Sequence, residues 1–190
     1  MLILVDQDGP LANWEAGFAA AWRTSFPDLP HVAVEDRREW NIESEYPAEV
    51  APLISEIQSA PGFYRGLPVV DGAVEALEGL VADGHDVRIC SAPAARFANC
   101  VAEKFHWVEQ HFGERWVPRI ILARDKTWVR GDVLIDDNPE VTGALNPVWT
   151  HVVYDTPTNA GVPGPRLTWG THREVLDAFE PGSAAGPEWR

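Results

Sequence analysis

The chain has 190 residues, room for one substantial core with a smaller appendage. Its 45 % hydrophobic and 23 % charged content is ordinary for a globular protein. A formal net charge of −14 argues against a nucleic-acid polymer as partner, because such binding needs Lys and Arg to displace counterions; small anionic substrates stay open.

The amino terminus, Met1-Leu2-Ile3-Leu4-Val5-Asp6, has no basic region, and its apolar run stops too early for a signal peptide. No stretch is long and apolar enough to span a bilayer, so a cytoplasmic protein without a membrane partner is expected. Leu2 to Val5 read as a strand buried on both faces, as in a parallel sheet. Asp6-Gln7-Asp8-Gly9 follows directly. Two carboxylates two residues apart at a strand end can face one site, although a solvated turn reads the same way when the motif stands alone.

Trp14, Phe18 and Trp22 form a helical stripe, and Val50, Leu53, Ile54 and Ile57 form another. Between them lies the polar, aromatic segment from Glu35 to Asn41. This stretch is far longer than one crossover needs, so residues 14–70 are predicted to be a small helical cap inserted after the first strand. Val70, Val74, Leu77 and Val81 then mark one helical face. Asp86 to Cys90 read as the second strand, followed by Ser91-Ala92-Pro93. Pro93 suits a first helical position, which would make Ser91 and Ala92 a phosphate-binding helix start; Ser91 as an ordinary N-cap fits equally well.

Phe97, Val101, Phe105, Val108 and Phe112 define the next helical face. Arg119 to Leu122 form a third strand, with Asp125-Lys126-Thr127 after it. Val133 to Ile135 form a fourth, ending in Asp136-Asp137-Asn138-Pro139, and His151 to Tyr154 a fifth. Alternating strands and helices point to an α/β fold with a five-stranded parallel sheet and right-handed crossovers. The core is expected in residues 1–13 and 71–180. Residues 181–190, rich in Pro, Gly, Ala and Ser, are expected to be a flexible tail. Cys90 and Cys100 show no metal-ligand spacing and read as buried thiols, with one disulfide left open; six scattered histidines give a zinc site little support.

Each polar cluster follows a predicted parallel strand, so all would open on one rim. Asp6, Asp8, Asp136 and Asp137 would crowd negative charge into a small volume. Two such charges 4 Å apart repel by roughly 4 kcal/mol at an effective dielectric near 20. A hard cation relieves this, and an all-oxygen donor set favours Mg²⁺ over Zn²⁺. Lys126 and the Ser91 turn supply a positive lining for an anion.

The segments Val5 to Asn13, Ser91, Lys126 and Asp136-Asp137, in that order, resemble the four motifs of the haloacid dehalogenase superfamily of phosphatases. The likeness is closer to one family. Glu35-Asp36-Arg37-Arg38, Ile89 to Pro93, Glu103 to Glu109 and Arg124 to Thr127 are similar to the 5'(3')-deoxyribonucleotidases, and the similarity runs from Leu4 to about Phe179. The resemblance implies a Rossmann-like core with a helical cap, a Mg²⁺ cofactor, a homodimer, and hydrolysis of small nucleoside monophosphates.

By matched position, Asp6 would be the nucleophile and Asp8 the acid/base. Asp6, the Asp8 carbonyl, Asp136 and Asp137 would serve the metal. Ser91, Ala92 and Lys126 would hold the phosphoryl oxygens, and Trp14, Trp40, Asn41 and Ile42 would contact the base. Three positions depart from the family pattern: Asn41 replaces an aromatic residue, Gln58 lies where a Trp is expected, and Ala95 replaces a Lys. These departures leave open a second reading, a phosphatase for a sugar phosphate or another small phosphomonoester. A non-catalytic binding protein fits less well, because every chemical position is filled.

Overall fold

The structure, a computed structural model, describes residues 1–179. Six parallel strands form one sheet in the order β3-β2-β1-β4-β5-β6: β1 (Leu2–Val5), β2 (Asp86–Ser91), β3 (Ile120–Leu122), β4 (Val133–Asp136), β5 (Thr150–Tyr154) and β6 (Arg166–Leu167). The five predicted strands are present. The sixth has only two residues and one of them is charged, too short for any periodicity to register. The expected tail, 181–190, lies outside the described residues.

The strand order reverses around β1. The chain builds outward through β2 and β3, then crosses back to β4 on the other side of β1. This places a crevice beyond the carboxyl ends of β1 and β4, where ligands bind in open α/β sheets. Past the half-buried Leu2, the apolar residues of both strands are fully buried, as their unbroken runs demand: Ile3, Leu4, Val5, Val133, Leu134 and Ile135 are all 0 % exposed.

The two sheet faces are covered differently. Ile3, Val5, Ile89, Val133 and Ile135 share the main core with helices α3 (Ala73–Ala82), α4 (Cys100–Phe112) and α5 (His172–Asp177). On the opposite face Leu4, Cys90 and Leu134 meet Trp149, flanked by Val129 and Val141 from loops.

Two helix faces differ from expectation. In α3 the buried side is Ala73, Ala76, Leu77 and Leu80, while Val74 and Val81 are half-buried and Val70 precedes the helix. Small alanines let this helix sit close to the sheet, and such positions carry little hydrophobic signal. In α4 the buried stripe is Cys100, Lys104, Trp107, Val108 and Phe112; Val101 is exposed. The predicted face was rotated because a lysine occupies an apolar position.

Between β1 and β2 lie α1 (Trp14–Ser25), two short 3-10 turns (Val34–Asp36 and Ile42–Glu45) and α2 (Ala51–Ser59). Phe18, Trp22, Phe26 and Tyr46 pack ring against ring. Arg37 is only 2 % exposed and reaches Glu15 at 3.0 Å and Glu45 at 2.8 Å, tying α1 to the second 3-10 turn. Among the described residues no helix is long and apolar enough to cross a membrane.

Candidate active site

The end of β1 runs straight into the site. The Asp6 amide donates to the Ile135 carbonyl at 2.8 Å, so Asp6 stays beside β4 for one residue past the strand. The chain then turns tightly: the Ala12 amide donates to the Gln7 carbonyl at 2.7 Å, and Gly9 adopts φ +92°. A side chain at Gly9 would also collide, since its Cβ would lie 2.3 Å from the Asp137 carboxyl carbon. Only glycine meets both demands.

Carboxylate oxygens of Asp6, Asp136 and Asp137 all lie within 4.8 Å of one another. Asp136 ends β4 and Asp137 follows it, so the sheet register itself brings the group together. Lys126 enters from the turn after β3. Its Nζ is 2.8 Å from Asp6 Oδ1 and 2.5 Å from Asp136 Oδ2. That turn is built by Asp125, whose carboxylate accepts from the Thr127 amide at 2.9 Å and the Ala144 amide at 2.7 Å. Asn159 braces the far side, donating to the carbonyls of Asp137 and Tyr154 at 2.8 Å each.

The electrostatics follow from burial and crowding. Burial lifts Asp137 well above the usual carboxylate range, and Asp136 and Asp6 push the same way. Burial also raises Asp136, to about 6, against the pull of Lys126. Asp8 is raised by burial, opposed by Lys104 and reinforced by Asp6. Burial works against the Lys126 ammonium, but Asp6 and Asp136 outweigh it and hold it charged. The net result is a cluster of buried, crowded carboxylate oxygen donors. A hard divalent cation fits that set.

Asp6, Asp8, Lys126, Asp136 and Asp137 floor a cavity of about 720 Å³. Ala92, Trp14, Trp40, Asn41 and Ile42 line it too, so every expected site residue except Ser91 lies on the cavity wall. Ser91 is 1 % exposed and its hydroxyl faces Lys104 at 2.9 Å. No helix begins at Pro93; α4 starts at Cys100. The loop between them is spent on reaching the segment between β1 and β2, with Arg96 3.4 Å from Glu43 and the Asn99 amide donating to the Ala60 carbonyl at 3.1 Å. The helix-start reading of Ser91 and Ala92 therefore does not hold.

Trp14 is half-buried and stacks on Phe18 at 5.1 Å, while Trp40 is 45 % exposed. The Asn41 side chain accepts from the Glu43 amide at 3.1 Å, capping the 3-10 turn, and Ile42 is buried behind it.

Two polar residues escaped the sequence reading. Lys104, 1 % exposed, donates to Asp8 Oδ2 at 2.6 Å and to Ser91. Its signal was present: it shares a helical stripe with Cys100, Trp107, Val108 and Phe112, where a charge is out of place. Asn159 carried none, because its role depends on a loop conformation.

Residues 1–167 match the profile of a family described as "5' nucleotidase, deoxy (Pyrimidine), cytosolic type C protein". A Bordetella bronchiseptica protein, provisionally named a 5'(3')-deoxyribonucleotidase, is 52 % identical over 93 % of this chain and 95 % of its own length. The human cytosolic-type 5'(3')-deoxyribonucleotidase is 39 % identical over 93 % of each chain. Among solved structures, a haloacid dehalogenase family hydrolase from Deinococcus radiodurans, with bound phosphate and sodium, shares the fold at a TM-score of 0.60 and 18 % identity, over 94 % of this chain and 95 % of its own.

Proposed function

Because this chain belongs to the 5'(3')-deoxyribonucleotidase family of haloacid dehalogenase-type phosphoric monoester hydrolases, we propose that it cleaves (deoxy)nucleoside 5'- and 3'-monophosphates to nucleoside and phosphate, with Mg²⁺ as cofactor. The observation that carries this reading is the meeting of Asp6, Asp8, Lys126, Asp136 and Asp137 on the floor of one cavity walled by Trp14 and Trp40.

Asp6 is the nucleophile. Lys126 occupies its Oδ1, which leaves the second oxygen to attack phosphorus as the bond to the nucleoside oxygen breaks. Asp8 gives its proton to that leaving oxygen; burial raises its affinity for protons, the direction this task needs. In the second step Asp8 takes a proton from water, water attacks the aspartyl-phosphate, and Asp6 is released. Asp6, Asp136, Asp137 and the Asp8 carbonyl would hold Mg²⁺, which when bound supplies positive charge to the phosphoryl oxygens. Lys126, Ala92 and Ser91 add to that stabilisation.

Residues 14–70 act as the cap, and residues 1–13 and 71–180 as the catalytic core. Trp14 and Trp40 would stack on the base, with Asn41 and Ile42 beside it. A homodimer belongs to the same reading through the family resemblance alone, and a cytoplasmic location is supported by the cytosolic-type name of the human relative.

A second reading has its own support. Asn41, Glu43, Gln58 and Arg96 give the cap end of the cavity a polar wall, which suits the hydroxyls of a sugar phosphate. One experiment decides. Phosphate release is measured over nucleoside monophosphates and sugar phosphates, with and without Mg²⁺. Turnover of dUMP or dTMP only with the metal is expected. Turnover confined to sugar phosphates would establish the second reading, and no release from any nucleoside monophosphate would overturn the first.

A further inference from the structure

The site contains a second buried lysine that the proposed chemistry has not used. Lys104 projects from the sheet-facing stripe of α4, among Cys100, Trp107, Val108 and Phe112, and is 1 % exposed. Burying an ammonium there is strongly unfavourable unless it is paired, and a methionine of the same length would fill the space without that cost. Groups retained against such a cost cluster at functional sites.

Its partners are specific. Nζ donates to Asp8 Oδ2 at 2.6 Å and to Ser91 Oγ at 2.9 Å. Asp8 Oδ1 is buried and has no hydrogen-bond partner among the described residues. One oxygen of Asp8 is therefore committed and the other is not. The lysine is itself held. The Gln7 side-chain amide donates to its backbone carbonyl at 3.2 Å, and the Tyr64 ring lies 5.6 Å from Nζ. Next to it, Glu103 accepts from the amides of Gly62 at 2.7 Å and Tyr64 at 3.0 Å, which keeps that ring in place.

Taking Asp8 as the acid of the proposed phosphatase reaction, we propose that Lys104 is its positioning residue, fixing the carboxyl group through Oδ2 so that Oδ1 alone meets the leaving oxygen. The division of labour is clean. Lys126 serves Asp6, and Lys104 serves Asp8 and ties it to Ser91. In the first step the Oδ1–H bond breaks, its proton passes to the nucleoside oxygen, and the P–O bond to that oxygen breaks. Lys104 keeps its own proton and its hydrogen bond to Oδ2 throughout.

A positioning role for the acid has a signature that a packing role lacks, because only a poor leaving group needs the proton. Initial rates are compared for dTMP, which leaves as an alkoxide, and p-nitrophenyl phosphate, which leaves as a stable anion. For Lys104→Met, kcat/KM is expected to fall about 100-fold on dTMP and less than about 5-fold on the aryl ester. Equal losses on both substrates, or no loss on dTMP, overturn the proposal. If the Met variant does not fold, Lys104→Gln is put to the same comparison. Asp8→Asn separates the two levels of the argument. Should it show no leaving-group dependence, the acid assignment fails and the proposal with it. Should it show that dependence while Lys104→Met does not, only the positioning role falls. Adding Lys104→Met to Asp8→Asn is expected to cost nothing further on dTMP, since both act through one group.

Discussion

The carboxylates of this site do not share one task, and their surroundings separate them. Asp6 touches Lys126, Asp8 touches Lys104, and Asp137 fills the space that a side chain at Gly9 would take. Asp6→Asn is therefore expected to lower kcat by more than about 1,000-fold with its circular dichroism unchanged, since it would remove the proposed nucleophile and no packing. Gly9→Ala tests the turn. Its positive φ and the collision with Asp137 are expected to cost about 1–3 kcal/mol in urea unfolding, together with weaker Mg²⁺ dependence of activity. At this scale the sequence was most informative where polar residues follow apolar strands. Asp6, Asp8, Lys126, Asp136 and Asp137 could be named because a strand end fixes where the next side chain goes. Lys104 could not, because a helix position is read through its neighbours, and the apolar periodicity runs through Val101 and Phe105 instead.

Among the elements, α4 links cap to core. Glu103 grips the 62–65 turn while Lys104, one residue on, reaches the site. The cap has its own fastening in Arg37, buried between Glu15 and Glu45 and donating to the Glu39 carbonyl at 2.7 Å. Arg37→Met would strand two carboxylates in a confined space. A loss of about 2 kcal/mol or more in urea unfolding is expected. Because the segment carrying Trp40 and Asn41 hangs on the same residue, KM for dTMP is expected to rise more than kcat falls. The strands were legible in sequence because fully buried strands leave unbroken apolar runs. The pieces of the cap were less so: the two 3-10 turns are held by Asn41, Glu45 and Arg37 contacts that no periodicity records.

For the molecule as a whole, the acidic cluster ties stability to pH and metal. Asp136 and Asp137 both bind protons more tightly in the folded, metal-free chain than in the unfolded one. Their contribution to stability is therefore greatest at low pH. It falls as pH rises from the unfolded value of 3.8 through the folded value of Asp136, about 6. Mg²⁺, the proposed cofactor, is expected to reverse the loss by binding the ionised form. Saturating the site at about 100 times its dissociation constant would add about 2.7 kcal/mol. The rise in Tm on adding Mg²⁺ is expected to be larger at pH 7.5 than at pH 5, which differential scanning calorimetry can check. The same crowding of charge was visible in the sequence as four Asp residues at strand ends, but its depth was not, since burial depends on tertiary neighbours such as Lys104 on Asp8 and Asn159 on the Asp137 carbonyl.

The uneven cover of the sheet has a kinetic consequence. Cys90 lies beneath the loop-covered face with Leu4, Leu134 and Trp149, and the Trp149 indole donates to the Lys126 carbonyl at 3.3 Å. Burial pushes the Cys90 thiol up to about 12, so it is inert to alkylation while that layer stays shut. In a Cys100→Ser background, the rate of Cys90 alkylation becomes a clock for breathing of the layer that carries Lys126. A bound phosphate analogue, by pinning Lys126 from the cavity side, is expected to slow that clock from the far side of the same layer.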